Sequence, residues 1–243
     1  MDFRQAGHLP NLWESEDHPH PPEGLPRQRR GKAPQMHGRY PDWDVMAEAE
    51  HWDPVTRKVI EDRVNDIPEI RFFDEREAST LIAFCDTVMA QDAEPRIPVL
   101  PMVDRKLHEG ELDGFQFEDM PDDRDTWRIV ARGLDQEARE RGLDNFAAAP
   151  DDVRRMICGA FNEGEVSGGA WDEVNVSNAW SVVMRHITQA FYSHPWSWNE
   201  IGFGGPAYPR GYARLGIGQR EWWEGEEAFE RDPVSDTKER GLE

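Results

Sequence analysis

Asp74-Glu75-Arg76-Glu77-Ala78-Ser79-Thr80-Leu81-Ile82-Ala83-Phe84-Cys85-Asp86-Thr87-Val88-Met89 decides the fold class. Asp74 can accept the Glu77 amide while the Glu77 side chain reaches back to the Asp74 amide, the reciprocal pair that opens a helix. Ala78, Leu81, Ile82, Cys85, Val88 and Met89 then recur at spacings of three and four, the period of one helical face. This predicts an amphipathic helix whose apolar side needs other helices to cover it.

Working outward, the same grammar repeats. Asp53-Pro54 is an N-cap followed by proline at the first helical position, predicting a helix to about Val64 that Pro68 stops. A shorter helix is expected from Pro98 to His108, with Val99, Met102, Val103 and Leu107 inward. Gly110 to Pro121 reads as an acidic loop carrying Phe115 and Phe117. Asp122 or Asp123 starts a fourth helix with Trp127, Val130, Leu134 and Ala138 inward, and Gly142 ends it. Pro150 opens a fifth, facing inward with Val153, Met156, Ile157, Ala160 and Phe161. After a break at Gly164 to Gly169, the sixth runs from about Asp172 to Tyr192, with Trp180, Val183, Met184, Ile187 and Phe191 inward. No two alternating apolar runs are joined by a tight turn, so no sheet is expected. The fold class is therefore all-α: an irregular bundle of about six helices. It divides into an extended arm over 1–52, a helical domain over 53–215 and an acidic tail over 216–243.

Composition limits the function. Hydrophobic residues make up 37% and mean hydropathy is -0.81, below the globular norm, yet ten tryptophans and eleven phenylalanines are more than a disordered chain carries. This pattern implies a compact core with irregular segments that lie on another surface. A net charge of -21 argues against nucleic acid and anionic membrane as partners. The acidic runs at Glu111 to Asp125 and from Glu221 onward read as solvated faces. Cys85 and Cys158 fall on apolar helix faces in no metal-ligand spacing, so buried free thiols are expected, with a disulfide as the alternative. No apolar run is long enough to span a membrane. Arg29-Arg30 is followed by Gly31-Lys32-Ala33-Pro34-Gln35 where a leader needs an apolar stretch, so a cytoplasmic protein is expected.

Two regions stand outside the helical pattern. In the arm, Pro10, Pro19, Pro21, Pro22, Pro26, Pro34 and Pro41 punctuate a polar stretch, and Trp13, Tyr40 and Trp43 are the points where it could be pinned. The second is Phe191 to Tyr212. There Pro195, Pro206 and Pro209 predict a non-helical segment, and its glycines permit close backbone approach. Gly202-Phe203-Gly204-Gly205 is not a phosphate loop, because a helix precedes it and Pro206 follows where a strand and a helix are required. A metal or acid–base site on His194 and Glu200, with His186, has no typical ligand spacing, and His18-Pro19-His20 is weaker still. Trp196, Trp198, Phe203, Tyr208, Arg210 and Tyr212 instead have the composition of a recognition surface, or of aromatics that cap one end of the bundle.

These residues also carry a family resemblance. Ala190-Phe191-Tyr192, Ser193-His194-Pro195, Asn199-Glu200-Ile201-Gly202-Phe203, Gly205-Pro206 and Tyr208-Pro209-Arg210-Gly211-Tyr212 resemble the C-terminal signature of the gluconate 2-dehydrogenase subunit 3 family. Phe72-Phe73-Asp74-Glu75-Arg76-Glu77-Ala78 with Leu81 resembles its opening helix, and Ile97-Pro98 leading to Asp104 its next one; the likeness covers roughly residues 70–215. The resemblance implies a small subunit, not catalytic alone, that assembles with and matures a larger FAD-containing subunit of the glucose–methanol–choline oxidoreductase type. That partner would oxidise a sugar, sugar acid or glycoside. No cofactor is expected in this chain; FAD belongs to the partner. Many family members carry a twin-arginine leader, so periplasmic co-export with the partner is the alternative location. The expected partner interface comprises Trp13, Tyr40, Trp43, His194, Trp196, Trp198, Asn199, Glu200, Phe203, Tyr208, Arg210 and Tyr212. The competing function is a stand-alone carbohydrate-binding module stacking sugars on Trp196, Trp198 and Tyr208.

Overall fold

The computed structural model describes residues 43–91, 96–111, 114 and 116–206. Among them lie α1 (Pro54–Asn65), α2 (Glu75–Val88), α3 (Val99–Glu109), α4 (Asp123–Glu140), α5 (Asp151–Glu163), α6 (Val176–Ser193) and α7 (Pro195–Ile201), with 3₁₀ turns at Val45–His51 and Gly169–Glu173. The described residues contain no strand, so the all-α expectation holds. The chain forms two compact units. One is Ile67–Phe191; the other joins the stretch ending at Asp66 to the stretch beginning at Tyr192.

In the first unit most helix starts are those the sequence predicts. Both halves of the capping box form, with the Glu77 amide donating to Asp74 Oδ1 at 2.8 Å and the Asp74 amide to Glu77 Oε2 at 3.1 Å. α4 begins on Asp122 and buries Trp127, Val130, Leu134 and Ala138 completely. Gly142 then takes φ 78°, which lets the Leu143 amide return to the Ala138 carbonyl at 3.1 Å. α2 packs on α3, α4 and α5, and α4 carries the Gly169–Glu173 turn along its side. Gly133 makes that last contact possible: a Cβ there would stand 2.5 Å from the Trp171 ring.

Two expected inward residues face outward: Ile82 and Met156 are exposed, at 40% and 55%. Val88, Met89, Met102, Val153, Ala160, Trp180 and Met184 are half-buried. In α2 the buried face is turned toward Phe84, whose ring sits 6.1–6.5 Å from Phe146, Phe161 and Trp180. α6 starts at Val176, later than expected, because Asn175 caps it by accepting the Asn178 amide. Asp172 and Glu173, which the sequence assigns to the helix, belong to the preceding Gly169–Glu173 turn.

The unit also buries carboxylates that periodicity does not reveal. Asp104 accepts three consecutive amides, from Arg71, Phe72 and Phe73, at 2.7–3.0 Å and so fixes the entry to α2. Asp135 accepts from Arg76 Nε, Thr80 Oγ1 and the Phe146 amide. Cys85 and Cys158 are buried free thiols, as expected. Burial pushes Cys85 up and raises Cys158 to about 12.

Candidate functional site

The expected non-helical segment contains a helix, and this corrects the sequence reading. Pro195 occupies the first position of α7, where the missing amide has no helical partner to lose, so it starts the helix and does not break it. His194 is the N-cap: its Nδ1 accepts the Trp196 amide at 3.2 Å, which places the proton of the neutral ring on Nε2. The Ser197 hydroxyl donates to the His194 carbonyl at 2.7 Å. Gly202, at φ 66°, ends the helix, and the Phe203 amide returns to the Trp198 carbonyl. Gly202-Phe203-Gly204-Gly205 is thus a helix exit, the wrong polarity for cradling a phosphate.

Burial sorts the segment's side chains. His194, Ser197, Asn199, Glu200 and Trp198 are buried, Trp196 is half-buried, and Phe203 is 38% exposed. Burial lowers the His194 pKa to about 4, overcoming the opposing hydrogen bond with the Arg63 backbone. Arg63 also donates to the Ser193 carbonyl at 2.8 Å. The Trp198 indole donates to the Tyr192 carbonyl, and its ring meets Phe203 edge-on at 5.4 Å.

The inner side of α7 rests on residues 43–66. Val45, Trp52, Ile60 and Trp198 form one apolar cluster, with Trp43, Met46 and Ala49 against it. Asn199 Oδ1 accepts the Val45 amide at 2.8 Å, and its side chain also bonds Asp44, whose pKa burial raises. The Trp43 indole donates to the Phe203 carbonyl at 3.2 Å. Residues 45–51, which the sequence assigns to an extended arm, here form the 3₁₀ turn capped by Asp44.

The sequence model of one protein family, gluconate 2-dehydrogenase subunit 3, matches residues 75–205, more than half of the chain. The chain belongs to that family. No curated protein and no solved structure matches it. In this subunit 3 chain the family region ends with α7 and its glycine exit, so the C-terminal motif is shared with the family while the residues packed against its inner side lie outside the match.

Of the expected interface residues, the structure brings together Trp43, His194, Trp196, Trp198, Asn199, Glu200 and Phe203. Trp13, Tyr40, Tyr208, Arg210 and Tyr212 lie outside the described residues. With Trp198 only 6% exposed, it offers no face for stacking a sugar. His186, offered with His194 as a site residue, is buried in the other unit, where its Nδ1 accepts the Trp127 indole N–H at 3.0 Å. Sequence reasoning missed Val45, Trp52 and Ile60, because they come singly from a turn, its cap and α1, and none forms a local pattern. It also missed an open cleft of about 700 Å³ on the Ile67–Phe191 unit. Its arginines are already engaged: Arg76 on Asp135, Arg132 on Glu173, and Arg139 on the Asp135 carbonyl. Among the described residues no group of three or more His, Cys, Asp or Glu is placed to hold a metal, and no helix is long and apolar enough to cross a membrane.

Proposed function

We propose that this chain is the non-catalytic small subunit of a dehydrogenase complex. Its partner is a larger FAD-dependent oxidoreductase of the glucose–methanol–choline type that oxidises a sugar, sugar acid or glycoside. The observation that carries this reading is the family match over residues 75–205. The aromatic edge of α7 supports it: Trp196 is half-buried and Phe203 exposed at the end of a segment whose polar side chains, His194, Ser197, Asn199 and Glu200, are buried, an arrangement suited to anchoring a second protein. His194 is spent as a helix cap and kept neutral by burial, which favours a structural over an acid–base role. Glu200 is also buried, at 8% exposure.

Co-expression with a flavoprotein large subunit of the glucose–methanol–choline type tests the reading. Flavin loading and soluble yield of the large subunit are expected to rise when this chain is present. A large subunit that folds, binds FAD and turns over equally well alone refutes it.

A further inference from the structure

The family match begins at residue 75, yet the motif at its far end is satisfied by residues that precede it. Asn199 holds the Val45 amide, Trp198 packs with Val45, Trp52 and Ile60, and Arg63 holds the Ser193 carbonyl. Gly205 adds a steric argument. At φ 76°, a Cβ on this residue would lie 2.8 Å from Trp52 Cζ2 and 3.1 Å from Val45 Cγ2, so the absence of a side chain is what seats the tryptophan. The Trp43–Phe203 hydrogen bond closes the outer end. These contacts are independent in chemistry and all join 43–63 to 193–205.

α7 has seven residues, too few to persist as a helix without tertiary support. Phe203 lies beyond the helix exit, positioned by the bond from its amide to Trp198 and the bond from Trp43 to its carbonyl. The second needs Trp43 in place, and the first belongs to the exit of α7, whose Trp198 packs on Val45, Trp52 and Ile60.

We propose that residues 43–66 are an intramolecular clasp: by filling the inner side of α7 they fix Trp196 and Phe203 in the arrangement a partner protein recognises. The docking edge exists while the clasp is closed. This rests on the docking reading above, and it adds that the family motif's inner side is occupied in cis, leaving only the outer side to the partner. Binding then profits from preorganisation, since the ordering cost of the aromatic edge is met within this chain.

Three variants of the full chain test this, read by hydrogen exchange and by affinity for the flavoprotein subunit. Ile60 is 2% exposed, so Ile60→Ala removes no partner-facing atom. It is expected to raise exchange over 44–60 and 194–203 together and to weaken partner binding at least tenfold. Ile60→Val, a single buried methyl, gives the same pair of effects at smaller size and serves if the alanine variant fails to fold. Phe203→Ala is expected to weaken partner binding with exchange over 44–60 little changed. Raised exchange with unchanged affinity in the Ile60 variants overturns the clasp's role in docking and leaves the docking reading standing. Unchanged exchange in both Ile60 variants overturns the clasp itself. Unchanged affinity in Phe203→Ala as well as in the Ile60 variants overturns the docking reading and the proposal with it.

Discussion

The two units reach the same end, a closed apolar interior, by opposite routes. In Ile67–Phe191 each helix brings its own stripe: α4 alone buries Trp127, Val130, Leu134 and Ala138. In the other unit Val45, Trp52, Ile60 and Trp198 come singly from a 3₁₀ turn and its cap, α1 and α7. The first interior is redundant, so losing one contact leaves the stripe. The second has no redundancy, and polar bonds from Asn199, Arg63 and Trp43 share the task of holding it. Redundant apolar burial tolerates substitution; single contacts backed by buried polar groups do not.

That contrast can be broken most forcefully at Asp135. Asp135→Ala leaves the Thr80 hydroxyl and the Phe146 amide buried without an acceptor, and is expected to cost on the order of 3 kcal/mol in denaturant unfolding. A cost under about 1 kcal/mol would mean that redundancy in this unit extends to its polar centre as well. The next test pairs two glycines that each lie under a tryptophan. Gly133→Ala meets Trp171 at 2.5 Å in mid-helix, and Gly205→Ala meets Trp52 at 2.8 Å with φ 76°. Each is expected to cost about 1–3 kcal/mol by overpacking. Hydrogen exchange should place the first loss at 126–140 and 169–173, the second at 44–60. Exchange that rises everywhere in both variants removes the distinction between the units.

Acid separates them further. His194 in the fold titrates near 4, against about 6.5 for a free imidazole. Between these values the unfolded chain binds a proton that the folded one does not, so stability rises with pH and is lost as pH falls from 6.5 toward 4. The limiting slope is about 1.4 kcal/mol per pH unit. Exchange at 194–203 should follow that slope, and His194→Asn, which keeps a capping acceptor, should flatten it. A wild-type slope that survives in His194→Asn assigns the titration elsewhere. The smallest effect is a null one. The buried thiols of Cys85 and Cys158, both with raised pKa, should resist alkylation in native protein at pH 8 and react on unfolding. Rapid native labelling of Cys158 would show that α5 opens readily.

The sequence makes the first unit legible because caps and periods are local. Asp74 with Glu77, Asp122 and Gly142 each act where the sequence places them. Face assignments drift where a single large ring dominates, as Phe84 does in turning Ile82 outward. In the second unit Asp53-Pro54 marks α1 correctly, and the rest is legible only as composition. Its aromatics announced recognition, but proline was read as a breaker at 195, where it begins a helix, and nothing local ties Val45 or Trp52 to Asn199 or Gly205. Those pairings are separated by about the whole first unit, and no periodic signal spans such a distance.

The spacing of the Val45–Asn199 hydrogen bond, 154 residues, also sets a clock. A ribosome adding roughly 5–20 residues per second needs on the order of 10–30 s to deliver the seat after Val45 has been made. Through that interval Val45, Trp52 and Ile60 lack the part of their cover that Trp198 supplies, while the apolar stripes of Ile67–Phe191 are completed by neighbours made sooner. Long-range closure of this kind is slow and comes late. Newly made chains should therefore be open to chaperone capture at residues 43–66 until α7 emerges.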